Sequence, residues 1–379
     1  MIYLDNAATT KPFKSVVETI NNANLEHWYN PSGVNSLSHE EMQHIYKVKE
    51  LIAKDINASA DEIYFTGSGC EANTMAIIGF LKNKYGYDFY TSRLEHTSIG
   101  NLCKSLNQDV IYVSNDNLGN IQCDLLKLAF SDIATYYGGA NPFVSIAMAN
   151  SEIGVIQNIK AISAIVHKYH GILHCDAVQL FPECKIDVKQ LGIDMMSVSA
   201  QKFHGPKGIG FLYVKKNIKL SPIIYGSQEN GLRGGTYNAP LIYGLETALK
   251  ETRSHSRKEY VKCLRDDLLF HLLRIPDVKL NGPAITGNRL RNNISLTIKD
   301  VPADILTTMC DQLGIIIAKG SACQAYKNTP SQSLKAIGLS DDEALSTIRI
   351  TVDQFNTISE IEKVSKIIPT LVERIRNGK

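Results

Sequence analysis

The sequence lacks the features that would place it in a membrane or in the secretory pathway. No apolar run approaches the roughly 20 residues that a membrane-spanning helix needs. The first residues have neither the basic start nor the long apolar stretch of a signal peptide, so we expect them to form a short strand of the fold. We therefore expect a cytoplasmic protein without a membrane partner.

An excess of charge and paired cysteines are also missing. The 40 basic and 38 acidic residues leave a formal net charge of +2, so no nucleic-acid partner is expected. The eight cysteines include no Cys-x-x-Cys pair and lie at positions 70, 103, 123, 175, 184, 263, 310 and 323. This scatter fits neither a zinc site nor a disulfide framework, which indicates a reducing compartment and no bound metal.

What the sequence does contain is an alternation of helical and β-rich segments from about residue 40 to residue 250. Helices are predicted at 45–53 and 74–84. Strands are predicted at 62–65, 88–91, 110–113, 144–148, 172–175, 195–198 and 209–214. Strands separated by helices indicate an α/β fold whose mostly parallel sheet is covered on both faces.

A second, smaller α+β unit follows a predicted amphipathic helix at 251–273. Its predicted elements are strands at 293–298, 315–318 and 346–352, with helices from Ala303 and Ser359. We see no internal repeat and no low-complexity linker. The division that we predict is a large domain of residues 13–255, and a small one that combines residues 1–12 with 256–379.

Ligands in open α/β sheets collect at the carboxyl ends of the strands, where several loops carry unusual residues. The first is Thr66-Gly67-Ser68-Gly69-Cys70-Glu71. Its glycines allow close backbone approach, Ser68 and Glu71 match a capping box, and the helix that follows can hold a phosphate at its N-terminus. A plain tight turn is the alternative for this loop.

Two further loops carry an aspartate and a lysine after apolar strands. Asp176 is costly at a buried strand end unless a cation meets it, although it could also cap the next helix. Lys202 follows 26 residues later in a loop with serine and glycine, where a lysine can form a Schiff base. One intervening connection and strand would place both side chains in one crevice, as a cofactor such as pyridoxal phosphate requires.

The fourth loop, Gly320-Ser321-Ala322-Cys323, places a cysteine among small and polar residues. Such a thiol is expected to be accessible, and Lys319 would favour its thiolate form. Taken alone, this loop is better explained by an incidental thiol.

Together these residues resemble the cysteine desulfurases of the NifS/IscS-like group, within the class V aminotransferases of the fold-type-I pyridoxal-phosphate enzymes. The resemblance runs nearly from end to end. The segments that carry it are Tyr3-Leu4-Asp5-Asn6-Ala7-Ala8-Thr9-Thr10, Asn30-Pro31-Ser32, Phe65-Thr66, Glu95-His96, Asn150-Ser151-Glu152-Ile153-Gly154-Val155, His174-Cys175-Asp176-Ala177, 199–208, Arg233-Gly234-Gly235-Thr236, Gly320-Ser321-Ala322-Cys323 and Ile348-Arg349.

The resemblance implies a catalytic role for three residues. Lys202 would bind the cofactor covalently and later move the substrate's α-proton, and His96 would stack on the ring and assist proton transfer. Cys323 would attack the sulfur of L-cysteine, which leaves a persulfide on the enzyme and releases alanine. The product sulfur would pass to an acceptor protein for iron–sulfur cluster assembly or thio-modification.

The resemblance also implies the residues that hold the cofactor and the substrate. Asp176 would keep the pyridine nitrogen protonated, and Gln179 would reach the phenolic oxygen. Thr236 would reach the phosphate from a partner subunit, which implies a homodimer with shared sites. The remaining cofactor contacts would be Gly69, Cys70, Ser151, Ser199 and Gln201, and the substrate contacts Asn150 and Arg349.

Some positions depart from the family pattern. Cys70 stands where threonine is usual, Ser151 where asparagine is usual, and Gln201 where histidine is common. Three alternatives stay open beside a desulfurase: a selenocysteine lyase, another class V enzyme, or a weakly active sulfur-relay or scaffold protein. The substitutions at Cys70 and Ser151 keep the last of these open. A sulfur acceptor at Cys323 argues against a transaminase, which needs none.

Overall fold

The computed structural model describes residues 1–82, 86–106, 109–136, 140–254, 257–320 and 329–378. Its strands are β1 Ile2–Tyr3, β2 Ile63–Thr66, β3 Tyr87–Ser92, β4 Val110–Val113, β5 Asn141–Ala147, β6 Ile172–Asp176, β7 Met195–Ser199, β8 Gly210–Val214, β9 Val278–Leu280, β10 Asn293–Ile298, β11 Ile315–Ile316, β12 Ala318–Lys319 and β13 Thr347–Thr351. Its helices are α1 Lys14–Glu26, α2 Ser36–Ile56, α3 Gly69–Leu81, α4 Thr97–Ser105, α5 Cys123–Tyr136, α6 Ile159–Lys168, α7 Val188–Leu191, α8 Ala239–Ser254, α9 Lys258–Leu272, α10 Ala303–Gln312, α11 Gln332–Ala336, α12 Asp341–Leu345 and α13 Ile358–Arg376.

Seven strands form the main sheet in the order β2-β8-β7-β6-β5-β3-β4. All neighbours are parallel except β8, which runs antiparallel to β2 and β7. This confirms the predicted α/β class with a mostly parallel, seven-stranded sheet of the fold-type-I kind.

Strand β8 is apolar throughout because both of its faces are packed. Successive side chains of a strand point to opposite faces. Phe211 and Tyr213 belong to a core cluster with α1, α2 and α8, whereas Leu212 and Val214 belong to one with α3 and α4. Both faces of the sheet are therefore covered by helices, and the polar strand ends are left for the site.

The second sheet is antiparallel, with the order β12-β13-β10-β9. Helices α9, α10 and α13 share its apolar core. Strand β1 pairs in parallel with β11 next to this unit, so the N-terminal residues lie beside the C-terminal part of the chain. The exact boundaries that we gave for the two domains stay a prediction.

Two predicted elements were wrong in detail. The helix expected over 251–273 is interrupted: α8 ends at Ser254, and Arg257 has a non-helical ψ of 39° before α9 begins. The sequence Ser254-His255-Ser256 between them has low helix propensity. The strand expected over 315–318 is divided, because β11 pairs with β1 while β12 pairs with β13.

Among the described residues, no helix combines the length and the apolar character that crossing a membrane requires.

Candidate functional site

A cavity of about 280 Å³ lies at the carboxyl ends of β6 and β7. It brings together eleven of the predicted site residues, from both sheets of the molecule. They are Gly69, Cys70, His96, Asn150, Ser151, Asp176, Gln179, Ser199, Gln201, Lys202 and Arg349. Two predicted residues are not among them: Thr236 lines a separate groove, and Cys323 lies outside the described residues.

Asp176, the last residue of β6, is buried and held by two donors. The side-chain amide of Asn73 on α3 donates to Oδ2 at 2.8 Å, and the backbone N–H of Val178 donates to Oδ1 at 2.9 Å. Asp176 does not cap the next helix. Its carboxylate is fixed with one edge toward the cavity, where it can meet a cationic ring nitrogen.

Lys202 follows β7 in a short 3₁₀ turn and reaches backbone oxygens of the N-terminal segment. Its Nζ donates to the carbonyl of Ala7 at 2.8 Å and to that of Ala8 at 2.5 Å. Gln179 donates to the same Ala7 oxygen at 3.1 Å. Residues 7 and 8 therefore form one wall of the site and hold the lysine amine in the cavity.

The glycine loop before α3 has only half of the predicted capping box. Ser68 caps the helix by accepting from the N–H of Glu71 at 3.1 Å, but the Glu71 carboxylate accepts from Gly67 instead of Ser68. Glu71 turns away because Arg233 pairs with it at 2.7 Å. The first turn of α3 still presents backbone N–H groups to the cavity, where they can hold an anion.

His96 and Cys70 form a close pair at the mouth of this anion site. Nδ1 of His96 accepts from the N–H of Ser98 at 3.2 Å, so a neutral ring carries its proton on Nε2. A hydrogen bond from His96 lowers the pKa of the Cys70 thiol, against the opposing effect of burial. Histidine can therefore act here as a donor to a negatively charged group.

Arg349 on β13 points into the cavity from the second sheet. Its Nη2 donates to Asp5 at 2.5 Å, and its buried Nε has no hydrogen-bond partner in the part of the chain that is described. An unpartnered buried donor is costly unless a ligand satisfies it. Its planar donors match a carboxylate, which fits a substrate carboxyl group.

Two buried carboxyl groups in the cavity wall were not predicted. Burial raises the pKa of Glu95 to about 8, although Ser92 donates to it at 2.6 Å. Burial likewise raises the pKa of Glu152 to about 7, against a hydrogen bond from Ser331 at 2.5 Å. Sequence reasoning used both only as parts of motifs, because nothing in their spacing shows that they are buried.

Asn73 and Asp5 were missed for a different reason. Asn73 is a polar residue within the apolar helix α3, which was a usable signal of a role in the site. The Asp5–Arg349 contact gave no such signal, because it joins residues at opposite ends of the chain. Asn150 lines the cavity, where its side chain bonds Leu94, Glu152, Ile153 and Ser333, and its contact with substrate stays a prediction.

The residues of the cavity fit pyridoxal phosphate. A Cβ on Gly69 would lie 2.8 Å from Val178, so only glycine lets the start of α3 approach the strand ends this closely. The anion site of α3, the Asp176 carboxylate and the Lys202 amine match a phosphate, a protonated ring nitrogen and an aldehyde carbon.

A larger cavity of about 960 Å³ lies in the C-terminal unit, beside α12. It is lined by charged residues such as Lys279, Asp304 and Glu343. Among the described residues, it shares none of the predicted site residues, so it is not the candidate site.

The comparisons with known proteins agree with this geometry. The Aminotransferase class-V family model matches residues 2–364. Cysteine desulfurase IscS of Methanosarcina thermophila is 34% identical over 99% of this chain and 93% of its own length. The structure of a NifS-like protein from Rickettsia africae has a TM-score of 0.88 at 30% identity and covers 98% of this chain and 99% of that one.

A structure described as SspA in complex with cysteine is 32% identical, with a TM-score of 0.79, and covers 94% of this chain and all of that one. Both the family model and the full-length relatives span almost the whole sequence. The chain therefore belongs to the class-V aminotransferase family, among its cysteine desulfurases.

Proposed function

We propose that this protein is a cysteine desulfurase that converts L-cysteine to L-alanine and receives the sulfur on Cys323. The observation that carries the proposal is the joint placement of Lys202, Asp176 and Arg349 around one cavity. A cysteine desulfurase of similar length and a related structure with bound cysteine support the choice of substrate.

The class-V family implies pyridoxal phosphate, which when bound withdraws electrons from the substrate's α-carbon and so acidifies its proton. The first turn of α3, with Ser199 and Gln201, would hold its phosphate. Asp176 would keep the ring nitrogen protonated, and Lys202 would hold the aldehyde carbon. Gln179 would contact the phenolic oxygen of the ring, and His96 would stack on the ring's face.

The protein's own groups then divide the remaining work. Arg349 binds the substrate carboxylate through its planar donors, which fixes the α-carbon beside Lys202. The Lys202 amine takes the proton from the substrate's α-carbon and later returns a proton to the product. Helix α3 and the Asp176 carboxylate stay fixed through their hydrogen bonds, so the site needs little rearrangement during the reaction.

Cys323 receives the sulfur in the proposed reaction. Its thiolate attacks the substrate sulfur, so that the new S–S bond forms as the substrate's C–S bond breaks, and alanine is released after protonation. This role comes from the sequence motif, since the residue lies outside the described part of the chain. The persulfide would serve an acceptor protein for iron–sulfur cluster assembly or thio-modification in the cytoplasm.

A homodimer with shared sites is part of the proposal. Thr236 is exposed and lies with Arg233 in a groove apart from the cavity. Large apolar side chains are exposed on loops that approach this groove. Trp28 and Val34 flank Ser32, which Gln228 contacts at 3.5 Å, and Tyr225 follows Ile224, which bridges to Arg233. A second copy that covers them would also bring a threonine to each phosphate site.

The decisive experiment is an alanine assay with L-cysteine on the wild type and on Cys323→Ser. We expect alanine and, with reductant, sulfide from the wild type, and a large loss in the variant. The wild type should also be yellow, and Lys202→Ala should lose that absorption band.

Unchanged alanine production by Cys323→Ser would overturn the persulfide step. A wild-type protein that stays colourless with added pyridoxal phosphate would overturn the whole proposal. Activity toward selenocysteine alone, retained in Cys323→Ser, would identify a selenocysteine lyase.

A further inference from the structure

Lys202 also lines a second, smaller cavity of about 80 Å³. Its wall contains His204, two residues after the lysine, and Asp353, four residues after Arg349. The two side chains are about nine-tenths buried and meet where the lysine loop touches the end of β13. This contact joins the segments that carry Lys202 and Arg349, two residues of the candidate site.

His204 is held in an uncommon backbone conformation. Its φ is +64°, a left-handed value that non-glycine residues rarely adopt. Thr10 accepts from its N–H at 2.8 Å, and its carbonyl accepts from the N–H of Phe13 at 3.1 Å. Its ring lies between those of Phe13 and Phe355, at centroid distances of 4.5 and 5.3 Å. The direction of the ring is therefore fixed.

The partners of the ring define where its protons are. Nδ1 lies 2.9 Å from the carbonyl oxygen of Lys11, which can only accept, so Nδ1 carries hydrogen. Nε2 lies 3.2 Å from the side-chain nitrogen of Gln354 and 3.5 Å from the Asp353 carboxylate. A neutral ring accepts from Gln354, whereas a protonated ring lies within ion-pair distance of the Asp353 carboxylate. The two states differ by one proton.

Burial favours a proton on the carboxyl side of this contact. Burial raises the pKa of Asp353, while the neighbouring His204 lowers it. Asp353 also accepts from the N–H of Phe355 at 3.1 Å, which fixes its carboxylate. The other charged side chains around this cavity are Lys202, Glu183, Arg257, Lys258 and Arg291. Of these, Glu183 lies 3.7 Å from Arg291, so those two charges offset each other.

We infer that His204 and Asp353 form a positioning pair, whose ion-pair contact holds the Lys202 loop at a fixed spacing from Arg349. A substrate bound through its carboxylate to Arg349 must also reach the lysine, so this spacing sets how tightly substrate binds. The consequence for substrate rests on the proposed function. The link between the two segments does not.

The link is tested first without cofactor or substrate, by a double-mutant cycle of His204→Asn and Asp353→Asn. Asparagine tolerates a left-handed backbone and cannot carry charge, and it keeps an oxygen at position 353. At pH 6 the double variant should lower the urea midpoint by less than the sum of the two single shifts. At pH 9 the shifts should add, because the coupling depends on a proton at the pair.

The consequence for substrate is tested on the loaded enzyme. At pH 6, Asp353→Asn should raise the KM for L-cysteine by about tenfold, the size expected for one lost coupling, while kcat changes less. The ratio of the variant's KM to that of the wild type should fall toward one at pH 9. A purely structural role would shift the midpoint without this pH-dependent ratio.

A matched control exists in the His167–Asp194 pair, 2.7 Å apart, which lies between α6 and the start of β7. His167→Asn and Asp194→Asn should lower the urea midpoint and leave the KM ratio near one at both pH values. Additive midpoint shifts for the His204 and Asp353 variants at pH 6 would overturn the link between the two segments. A KM ratio that does not change with pH would overturn its role in substrate binding. A wild type that makes no alanine would instead overturn the proposed function.

Discussion

Glu95 and Glu152 enter the wall of the site as buried carboxyl groups that bind protons more tightly than carboxyl groups in water. Burial raises their pKa values to about 8 and about 7, from the ordinary glutamate pKa of 4.5. A carboxyl group with a raised pKa keeps its proton in the folded protein at a pH where the unfolded chain has released it. The folded state is therefore favoured at low pH, and this advantage is lost as pH rises.

The variant Glu152→Gln tests this at the residue scale. Between pH 4.5 and pH 7 the wild type should lose stability as pH rises, with about 3 kcal/mol of that loss due to Glu152. Glutamine is neutral at every pH, so the unfolding free energy of the variant should fall less steeply with pH than that of the wild type. The two slopes should differ by about one proton. Urea unfolding of the cofactor-free protein at several pH values measures the slope.

The exposed Glu26 gives the control, since Glu26→Gln should leave the slope unchanged. Equal slopes for the wild type and Glu152→Gln would contradict the expectation and would mean that Glu152 is ionised in the folded state.

At the scale of elements, the start of α3 combines a structural cap with the phosphate site. Ser68→Ala removes the acceptor of the Glu71 N–H and should lower stability by about 1 kcal/mol. Because the same turn would hold the phosphate, the variant should also release pyridoxal phosphate faster. Urea unfolding and the decay of the cofactor's absorption on dilution measure the two effects.

Thr357→Ala is the matched control, because Thr357 caps α13 in the same way at a distance from the cavity. We expect a similar loss of stability and no change in cofactor release. Equal release rates for Ser68→Ala and the wild type would mean that the turn does not hold the phosphate.

The elements that sequence reasoning predicted best are those whose pattern is local. Strands β4 and β10 have the predicted ends, and Asp176 and Lys202 were placed at strand ends because an apolar run precedes each. The Asp5–Arg349 pair and the β1–β11 pairing join distant parts of the chain, so no local pattern indicates them. The amphipathic pattern expected over 251–273 gave no sign of the break between α8 and α9.

At the scale of the whole molecule, the proposed homodimer with shared sites predicts complementation between two inactive variants. Lys202→Ala removes the lysine of a protomer's own site, whereas Thr236→Asp would place a carboxylate against the phosphate in the partner's site. Each variant alone should make little alanine. A mixed dimer would contain one site with both native residues and should recover up to about half of the wild-type activity per dimer.

Co-expression with two different affinity tags would isolate the mixed dimer for this assay. If each site were built within a single protomer, the mixed dimer would recover no activity. A protein that sediments as a monomer would exclude shared sites directly.

The hydrogen bonds from Lys202 to the carbonyl oxygens of Ala7 and Ala8 have a consequence for scanning mutagenesis. The acceptors are main-chain oxygens, which every amino acid supplies. Replacing either alanine by another residue leaves both oxygens in the chain, so a systematic alanine or charge scan would overlook this contact. Only a change to the backbone itself, such as an ester in place of the peptide bond or a deletion that shifts the segment, would reveal what these two carbonyls contribute.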